Sequence, residues 1–180
     1  MIAFFQHVYP VLDFRERSER QRERVRTALR ESGCAYSVVS CQCGSENETL
    51  GRLQWDARHG GAQYYVYLHL KGLTHPGDVH VDDWRELLEY FNIDCWRQMR
   101  AELERGADVV GANLEAEPFL HYAGNFFWIT RSALCKLSPL KRGENPEAWV
   151  GTMPEALCLK SLHDSNVNHY HERYPPERYR

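Results

Sequence analysis

The chain has 180 residues, of which 43% are hydrophobic and 12% aromatic, and its formal net charge is -3. This composition excludes an intrinsically disordered chain and predicts a single domain, residues 1–180, with an ordinary hydrophobic core. The small net charge argues against a nucleic-acid-binding domain, which usually carries a strongly basic face.

Apolar and polar stretches alternate in the first 70 residues at the lengths expected for strands and helices. An apolar run at the start predicts a buried strand, and the arginine-rich polar segment after it predicts a helix that ends near Gly33. The β-branched and aromatic stretches that follow predict two more strands, separated by a helix. The predicted elements are strand 2–8, helix 15–32, strand 35–43, helix 48–59 and strand 63–70.

A long helical region follows, in which the apolar residues at positions 84–91 recur at helical spacing and form one stripe. Asn92 and Asp94 predict a break and a new N-terminal cap, after which a second helix runs to Gly106. The remaining predicted elements are strands at 107–114 and 124–130, a short helix at 132–137, and a polar, proline-marked segment beyond it.

Strands that alternate with helices at this spacing require crossover connections. We therefore predict the α/β class, with a mostly parallel central sheet flanked by helices on both faces. In such sheets ligands bind beyond the carboxyl ends of the strands. The residues at these strand ends are His7 and Tyr9, the segment 42–47, His69 and Lys71, and Asn113.

The common nucleotide-binding and hydrolase motifs G-x-G-x-x-G, G-x-x-x-x-G-K-[ST] and G-x-S-x-G are missing. The strand end with the most suggestive chemistry is YLHLKG, residues 67–72. Strand alternation places His69 and Lys71 on one side, where both can contact an anion, and Gly72 allows the backbone to approach it closely. The alternative is a buried, hydrogen-bonded His69 and a surface Lys71 that bind no ligand.

Five segments stand out when they are taken together. In chain order they are YLHLKG, WRELLEYFNI, YAGNFFWIT, NPEAWVG and SLHDSNVNHYHERYPPERY. They match, in the same order, a YLHTKG-like strand end, a W-R…YF-x-I helix, a GNFWWA-like strand, a PEFWIG-like turn and an LHxSxxxHYxxxYPP tail. This set resembles small GT-A-type glycosyltransferases, which occur as a viral capsid-glycosylating domain and as bacterial polysaccharide-synthesis proteins.

The resemblance implies a GT-A-like fold and transfer of a sugar from a nucleotide-diphosphate donor to a hydroxyl group of a glycan or polysaccharide acceptor. It places a nucleotide-binding half at about 1–115 and the acceptor side with the C-terminal tail at about 116–180. It also implies that the nucleotide base and ribose lie near His7, Tyr9 and Gln42. The chain departs from the GT-A pattern in one respect, because it contains no Asp-x-Asp.

The missing Asp-x-Asp matters because a departing diphosphate needs positive charge, from fixed cations or from a divalent metal. Asp82 and Asp83 form the nearest acidic pair, but they precede an apolar helical stripe and are better explained as a helix cap. We therefore expect Lys71 and His69, followed by Gly72, to contact the diphosphate without a metal.

The tail histidines His163 and His169 are expected beside this diphosphate site. The alternative is a metal-dependent site, in which Mn²⁺ or Mg²⁺ is held by His69, His163 or His169 together with an acid such as Asp164. Hard ions prefer oxygen ligands, which counts against a site made mainly of histidines.

A transfer that inverts the sugar configuration also needs a carboxylate base beside the acceptor hydroxyl. Glu147 is our first candidate for this base, because the resemblance places its turn after the acceptor-side strand, and Asp94 is the second. Asn125 and Trp128 are the candidates for contacts with the acceptor sugar. From the residues alone, Glu147 is equally well explained as a first-turn helix acid, whereas Trp128 is better explained as a core residue.

The C-terminal stretch 161–179 contains three histidines, and their spacing matches no zinc motif. We expect this stretch to fold back across the donor site, with residues 174–176 anchoring its end. Two other functions remain open: a catalytically inactive module that binds a nucleotide sugar or a carbohydrate, and a histidine-based metal-binding protein.

The six cysteines form no C-x-x-C pair, and the sequence shows no signal peptide and no run of about 18 apolar residues. We therefore expect a cytoplasmic protein with reduced cysteines and no transmembrane segment.

Overall fold

The computed structural model describes residues 2–8, 15–42, 44–72, 75, 77–153 and 155–180. The helices are α1 (Arg15–Glu31), α2 (Glu46–His59), α3 (Val79–Glu89), α4 (Trp96–Glu104) and α5 (Arg131–Lys136). The strands are β1 (Ile2–Val8), β2 (Tyr36–Gln42), β3 (Tyr64–His69), β4 (Val109–Gly111), β5 (Leu114–Glu115), β6 (His121–Tyr122), β7 (Phe127–Thr130) and β8 (Leu159–Ser161). No helix in these ranges is long and apolar enough to cross a membrane.

Six strands form the central sheet, in the order β2-β1-β3-β7-β4-β8, and β5 pairs with β6 in a separate two-stranded sheet. The pairs β1–β2, β1–β3 and β4–β8 are parallel, whereas β7 is antiparallel to both β3 and β4. The α/β class is therefore confirmed, with a mixed sheet. The reversed strand follows from the local connection, because the chain leaves β4, forms the β5–β6 ribbon and re-enters the sheet at once, without a crossover helix.

Helices cover both faces of the sheet, and β3 shows how the sequence divides between them. Successive side chains of a strand point to opposite faces. Tyr64, Val66 and Leu68 pack in the hydrophobic cluster that contains residues of α1, α3 and α4. Tyr65 and Tyr67 pack in the second cluster, with residues of α2 and α5. His69 continues the second series and therefore lies on the face that α2 covers.

Docking of α2 fixes the position of the first turn of this helix over the end of β3. Leu50 and Leu53 of α2 are fully buried in the second cluster. Burial of each leucine side chain contributes about 1.5–3 kcal/mol to stability. This packing places Glu46, the first residue of α2, beside the carboxyl end of β3.

The predicted break between the two helices after β3 is present, but it is a π-helical turn at Tyr90–Asp94 rather than a capped helix start. Neither Asn92 nor Asp94 caps α4, because the Asn92 amide donates to the carbonyl of Leu88 (2.9 Å) and Asp94 pairs with Arg24 (2.9 Å). The prediction that Asn92 and Asp94 provide a new N-terminal cap for α4 was therefore wrong.

The start of α3 also differs from the prediction. Asp78 is its N-cap, with a carboxylate that accepts a hydrogen bond from the backbone N–H of His80 (2.9 Å). Asp82 and Asp83 lie inside the helix. The carboxylate of Asp83 accepts hydrogen bonds from the guanidinium of Arg173 (2.8 and 3.2 Å), which ties the C-terminal segment to α3.

Candidate functional site

The chain turns sharply where β3 ends, and Gly72 makes this turn possible. The backbone N–H of Lys71 donates to the carbonyl of His69 (3.0 Å), and Gly72 has a φ of +84°. A Cβ on Gly72 would lie 2.7 Å from Cγ1 of Val81. Only glycine satisfies both the left-handed backbone and the close approach of α3.

Lys71 lies between an aromatic ring and two carboxylates. Its ammonium nitrogen is 3.8 Å from the centroid of the Trp84 ring, within range of a cation–π interaction. Burial lowers the pKa of Lys71, and the negative charges of Glu147 and Glu46 oppose this shift. The site therefore holds a partly desolvated cation at the carboxyl edge of the sheet, where an anion would interact with it more strongly than in water.

His69 is buried, and its two ring nitrogens have different surroundings. Nε2 lies 2.8 Å from the carbonyl oxygen of Gly124, so this nitrogen carries the proton. Nδ1 has no hydrogen-bond partner in the part of the chain that the structure describes, and it lies 3.6 Å from Oε1 of Glu46. Burial lowers the pKa of His69, an effect that the charge of Lys71 strengthens and the charge of Glu46 opposes. The imidazole is therefore neutral at pH 7.

Glu46 is a site residue that the sequence analysis missed. Its Oε2 accepts hydrogen bonds from the Tyr67 hydroxyl (3.0 Å) and from the Asn125 side-chain amide (2.8 Å). The strand-end rule covered the segment 42–47, which contains Glu46, but nothing in the residue pattern favoured Glu46 over Gln42. The carboxylate joins three elements at the site: α2, β3 and the loop before β7.

Glu147 is held at the same edge by a backbone contact. Its Oε1 accepts a hydrogen bond from the N–H of Gly124 (2.9 Å), and its own N–H donates to Oδ1 of Asn145 (3.0 Å). Gly124 has a φ of +92°, and a Cβ there would lie 2.4 Å from Cδ1 of Leu88. Gly124 thus connects two site residues, because its carbonyl accepts from His69 and its N–H donates to Glu147.

The tail histidine His169 comes to this region and is 3% exposed. Its ring stacks on Trp84 with a centroid distance of 5.1 Å, and Nε2 lies 3.0 Å from Nδ2 of Asn113 and 2.8 Å from the Ser165 hydroxyl. Burial and the nearby charge of Lys71 lower the pKa of His169 to about 4. It is a neutral group at physiological pH.

His163 makes different contacts from His169, although we expected both side chains beside the diphosphate. Its Nε2 lies 2.9 Å from the hydroxyl of Tyr174, and its ring stacks on Phe91 at 4.9 Å. These contacts belong to an aromatic cluster that anchors the tail, with Tyr179 nearby. Burial lowers the pKa of His163. His163 therefore supports the segment that carries His169.

The proposed metal ligands do not fit a metal ion in the described ranges. No three His, Cys, Asp or Glu side chains there are grouped so that they could hold one. Nε2 of His163 is engaged by Tyr174, and Nε2 of His169 by Asn113 and Ser165. The structure therefore gives no support to the expectation that His163 and His169 ligate a metal, which stays a prediction.

A cavity of about 500 Å³ opens beside Glu147, within the size range of ligand pockets. It is bounded by α3, the segment after β4, the loop before β7 and the C-terminal segment. Tyr170, which is 52% exposed, lies on its rim. The lining side chains are Trp84, Asn113, Leu114, Glu115, His121, Ala123, Glu147, Asp164, Asn166, Val167, Asn168, His169 and Tyr170.

A second cavity, of about 530 Å³, lies on the other side of Lys71, between α1 and α3. It is rich in cations, with Arg20, Arg24, Lys71, Arg85 and Arg180 against Glu86, Glu89 and Asp94. Asp94, the second candidate base, lines this cavity and pairs with Arg24. It does not line the cavity that Glu147 lines, so the structure does not place the two candidate bases together.

The candidate acceptor contacts are both buried. Trp128 is fully buried and its indole N–H donates to the carbonyl of Asn92 (2.9 Å), so this side chain belongs to the core and cannot stack on a sugar. Asn125, with a φ of +57°, uses its amide to bind Glu46. Of the expected nucleotide contacts, Tyr9 lies outside the described residues, and only the backbone strands that carry His7 and Gln42 are described.

Comparisons with known proteins leave the family open. No family model matches the sequence, and no curated protein matches it. Among solved structures, the crystal structure of A197 from STIV is similar, with 12% sequence identity over 94% of this chain and 87% of that chain and a TM-score of 0.48. A likeness at this level defines neither a family nor an activity.

Proposed function

We propose that the protein is a glycosyltransferase, which moves a sugar from a nucleotide-diphosphate donor to a hydroxyl group of a glycan acceptor. The observation that supports this most is the position of Lys71. It lines the cation-rich cavity and contacts Trp84, which lines the cavity that contains Glu147. A ligand with a diphosphate at Lys71 would place its sugar toward Glu147.

The diphosphate is assigned to Lys71 for a chemical reason. Breaking the bond between the sugar and the phosphate leaves additional negative charge on the departing diphosphate, and a preorganised cation in a partly dry site stabilises that charge. Burial of Lys71 strengthens this interaction, whereas the space beside Gly72 is filled by Val81. No step of the proposed reaction is assigned to a metal ion.

Glu147 is assigned as the base that removes the proton of the acceptor hydroxyl. The N–H of Gly124 holds Oε1, and no described residue donates a hydrogen bond to the other oxygen. A carboxylate fixed in this way presents one oxygen to the acceptor. As the hydroxyl oxygen forms its bond to the sugar carbon, its proton passes to Glu147 and the bonding pair leaves with the diphosphate.

The sugar itself is assigned to the cavity beside Glu147. The rim residue Tyr170 offers a half-exposed aromatic face, and the polar groups around it suit hydroxyl groups of a carbohydrate. This assignment replaces Trp128, which the core has buried, as the aromatic contact of the sugar.

Isothermal titration calorimetry with UDP-, GDP- and dTDP-sugars, with and without Mn²⁺, tests the proposal. We expect at least one of these donors to bind, and we expect Lys71→Met to weaken that binding. Failure of every nucleotide sugar to bind would contradict the proposal.

The second candidate is a catalytically inactive module that binds a nucleotide sugar or a carbohydrate. The observation that favours it is the missing Asp-x-Asp. Donor binding without hydrolysis or transfer, unchanged by Glu147→Gln, would support this module over the enzyme.

A further inference from the structure

The pair formed by buried His69 and partly buried Glu46 has no role in the reaction described above. Among the described residues, Nδ1 of His69 has no hydrogen-bond partner, although it faces a carboxylate oxygen of Glu46 at 3.6 Å. A neutral imidazole with its proton on Nε2 presents a lone pair to this oxygen, so two acceptors face each other. Two acceptors that face each other in a buried site cost free energy, because neither satisfies the other.

The geometry defines where a second proton on His69 would go. Nε2 is committed to the carbonyl of Gly124, so the added proton attaches to Nδ1. Oε1 of Glu46 would then accept it, and closing 3.6 Å to a charge-assisted hydrogen bond of about 2.8 Å needs a movement of under about 1 Å. Tyr67 and Asn125 hold Oε2 of Glu46, which keeps Oε1 directed at the ring.

Charged groups from several elements face His69. They are Glu46 from α2, Lys71 from the turn after β3 and Glu147 from the turn that packs on Gly124. The two carboxylates favour the protonated ring, while Lys71 and burial oppose it. An anion at Lys71 would offset the charge of the lysine and add negative charge of its own, and both effects favour imidazolium.

We propose that His69, with Glu46 as its acceptor, takes up one proton from solvent when a dianion such as a nucleotide-sugar diphosphate binds at Lys71. The proton adds to Nδ1 and no covalent bond is broken. The inference rests on the proposed function in that it uses the same anion site. Because Gly124 accepts from His69 and donates to Glu147, proton uptake also tightens the contact that positions the proposed base.

Nuclear magnetic resonance titration of the histidine ring in the full chain tests this directly. His69→Gln identifies the His69 signal, and the exposed His59 serves as an internal reference. The probes are UDP-glucose and sulfate, whose charges do not change between about pH 4 and pH 8. We expect the pKa of His69 to be below 6.5 in the free protein and to rise by about one pH unit or more with either probe.

Two variants test whether the contact between Glu46 and His69 serves proton uptake or only supports the structure. The amide of Glu46→Gln donates to Nδ1 of the neutral ring, so the pKa of His69 should no longer respond to ligand in this variant. The matched control is Glu48→Gln, which changes an exposed acid in the same turn. In this control the pKa of His69 should respond as it does in the wild type. Lys71→Met removes the anion site and should abolish the response as well.

Calorimetry of UDP-glucose binding in two buffers of different ionisation enthalpy gives an independent count. For a rise of about one pH unit in the pKa of His69, we expect uptake of about half a proton in the wild type at a pH midway between the free and bound pKa values, and none in Glu46→Gln.

The outcomes distinguish this inference from the proposed function. If UDP-glucose binds but the pKa of His69 is unchanged, the inference is wrong and the donor site stands. If no nucleotide sugar binds but sulfate raises the pKa of His69, the inference stands and the proposed function falls. A protein that binds neither probe contradicts both.

Discussion

Nδ2 of Asn113 lies 3.0 Å from Nε2 of His169, and this contact sets the protonation state of the imidazole. The backbone N–H of Ser165 donates to Oδ1 of Asn113 (2.8 Å), so the amide must turn its NH₂ group toward His169. Nε2 is then an acceptor and the ring proton is on Nδ1. One side chain after β4 thus joins the sheet to the C-terminal segment and holds His169 neutral.

Replacing Asn113 by aspartate should favour the protonated form of His169 over the neutral form. The carboxylate puts an acceptor opposite Nε2, so that nitrogen favours a proton and the pKa of His169 should rise from about 4 to above 6. Nuclear magnetic resonance titration of the ring measures this. Asn166→Asp is the control, because Asn166 also has a φ of +56° but is exposed. A pKa of His169 that stays near 4 in Asn113→Asp would contradict the contact.

The stability of the protein should depend on pH through His169. Its pKa is lowered in the folded state, from an ordinary value of 6.5 to about 4, so the unfolded chain binds the proton first. The stabilisation by neutral His169 is therefore complete above pH 6.5, declines as pH falls toward 4, and changes no further below that. Protonation of Nε2 would set a donor against the amide donor of Asn113.

His169→Phe keeps a ring beside Trp84 but cannot titrate. We expect the free energy of unfolding of the wild type to fall toward that of the variant between pH 6.5 and pH 4.5, as measured by urea denaturation. His59→Phe, at an exposed position, controls for loss of a histidine. A constant difference between the wild type and His169→Phe across this range would refute the assignment.

Gly72→Ala should destabilise the protein by about 1–3 kcal/mol, because alanine at a φ of +84° is strained and its Cβ would meet Val81. Gly61→Ala is the matched control, since a Cβ at Gly61 has no heavy atom within 4 Å, and a change within about 0.5 kcal/mol is expected there. Equal urea midpoints for the two variants would show that the turn after β3 is not built as described.

Lys71→Met should weaken nucleotide-sugar binding at least about tenfold, or about 1.4 kcal/mol, since it removes the ammonium group that lines the cation-rich cavity and contacts Trp84. Lys136→Met, at an exposed position in α5, should bind as the wild type does. Calorimetric titration measures both variants. An unchanged dissociation constant for Lys71→Met would show that the diphosphate does not bind at Lys71.

The turn at the end of β3 could be predicted because its signals are local. Strand alternation in YLHLKG and the glycine after it are enough to place His69, Lys71 and Gly72 at one edge of the sheet. The antiparallel strand β7 was not predicted, since strand direction depends on how the chain returns after β4, and apolar patterning does not record that.

Residues that depend on tertiary packing were beyond sequence reasoning. Glu46 reaches the site only because α2 docks on the sheet through Leu50 and Leu53. His163 and His169 lie in equally polar sequence, yet one packs among aromatic rings and the other against Trp84. Burial habits favoured a core position for Trp128 over a sugar contact, and the packed structure, in which its side chain is fully buried, agrees with that preference.

The most direct test of the central claim is nucleotide release from a panel of nucleotide sugars, comparing the wild type with Glu147→Gln and with Glu144→Gln, an exposed acid in the same loop. We expect release by the wild type and by Glu144→Gln. For Glu147→Gln we expect donor binding with release slowed by about 100-fold or more, because a general base contributes a factor of about that size. Equal release by the wild type and Glu147→Gln would contradict the central claim.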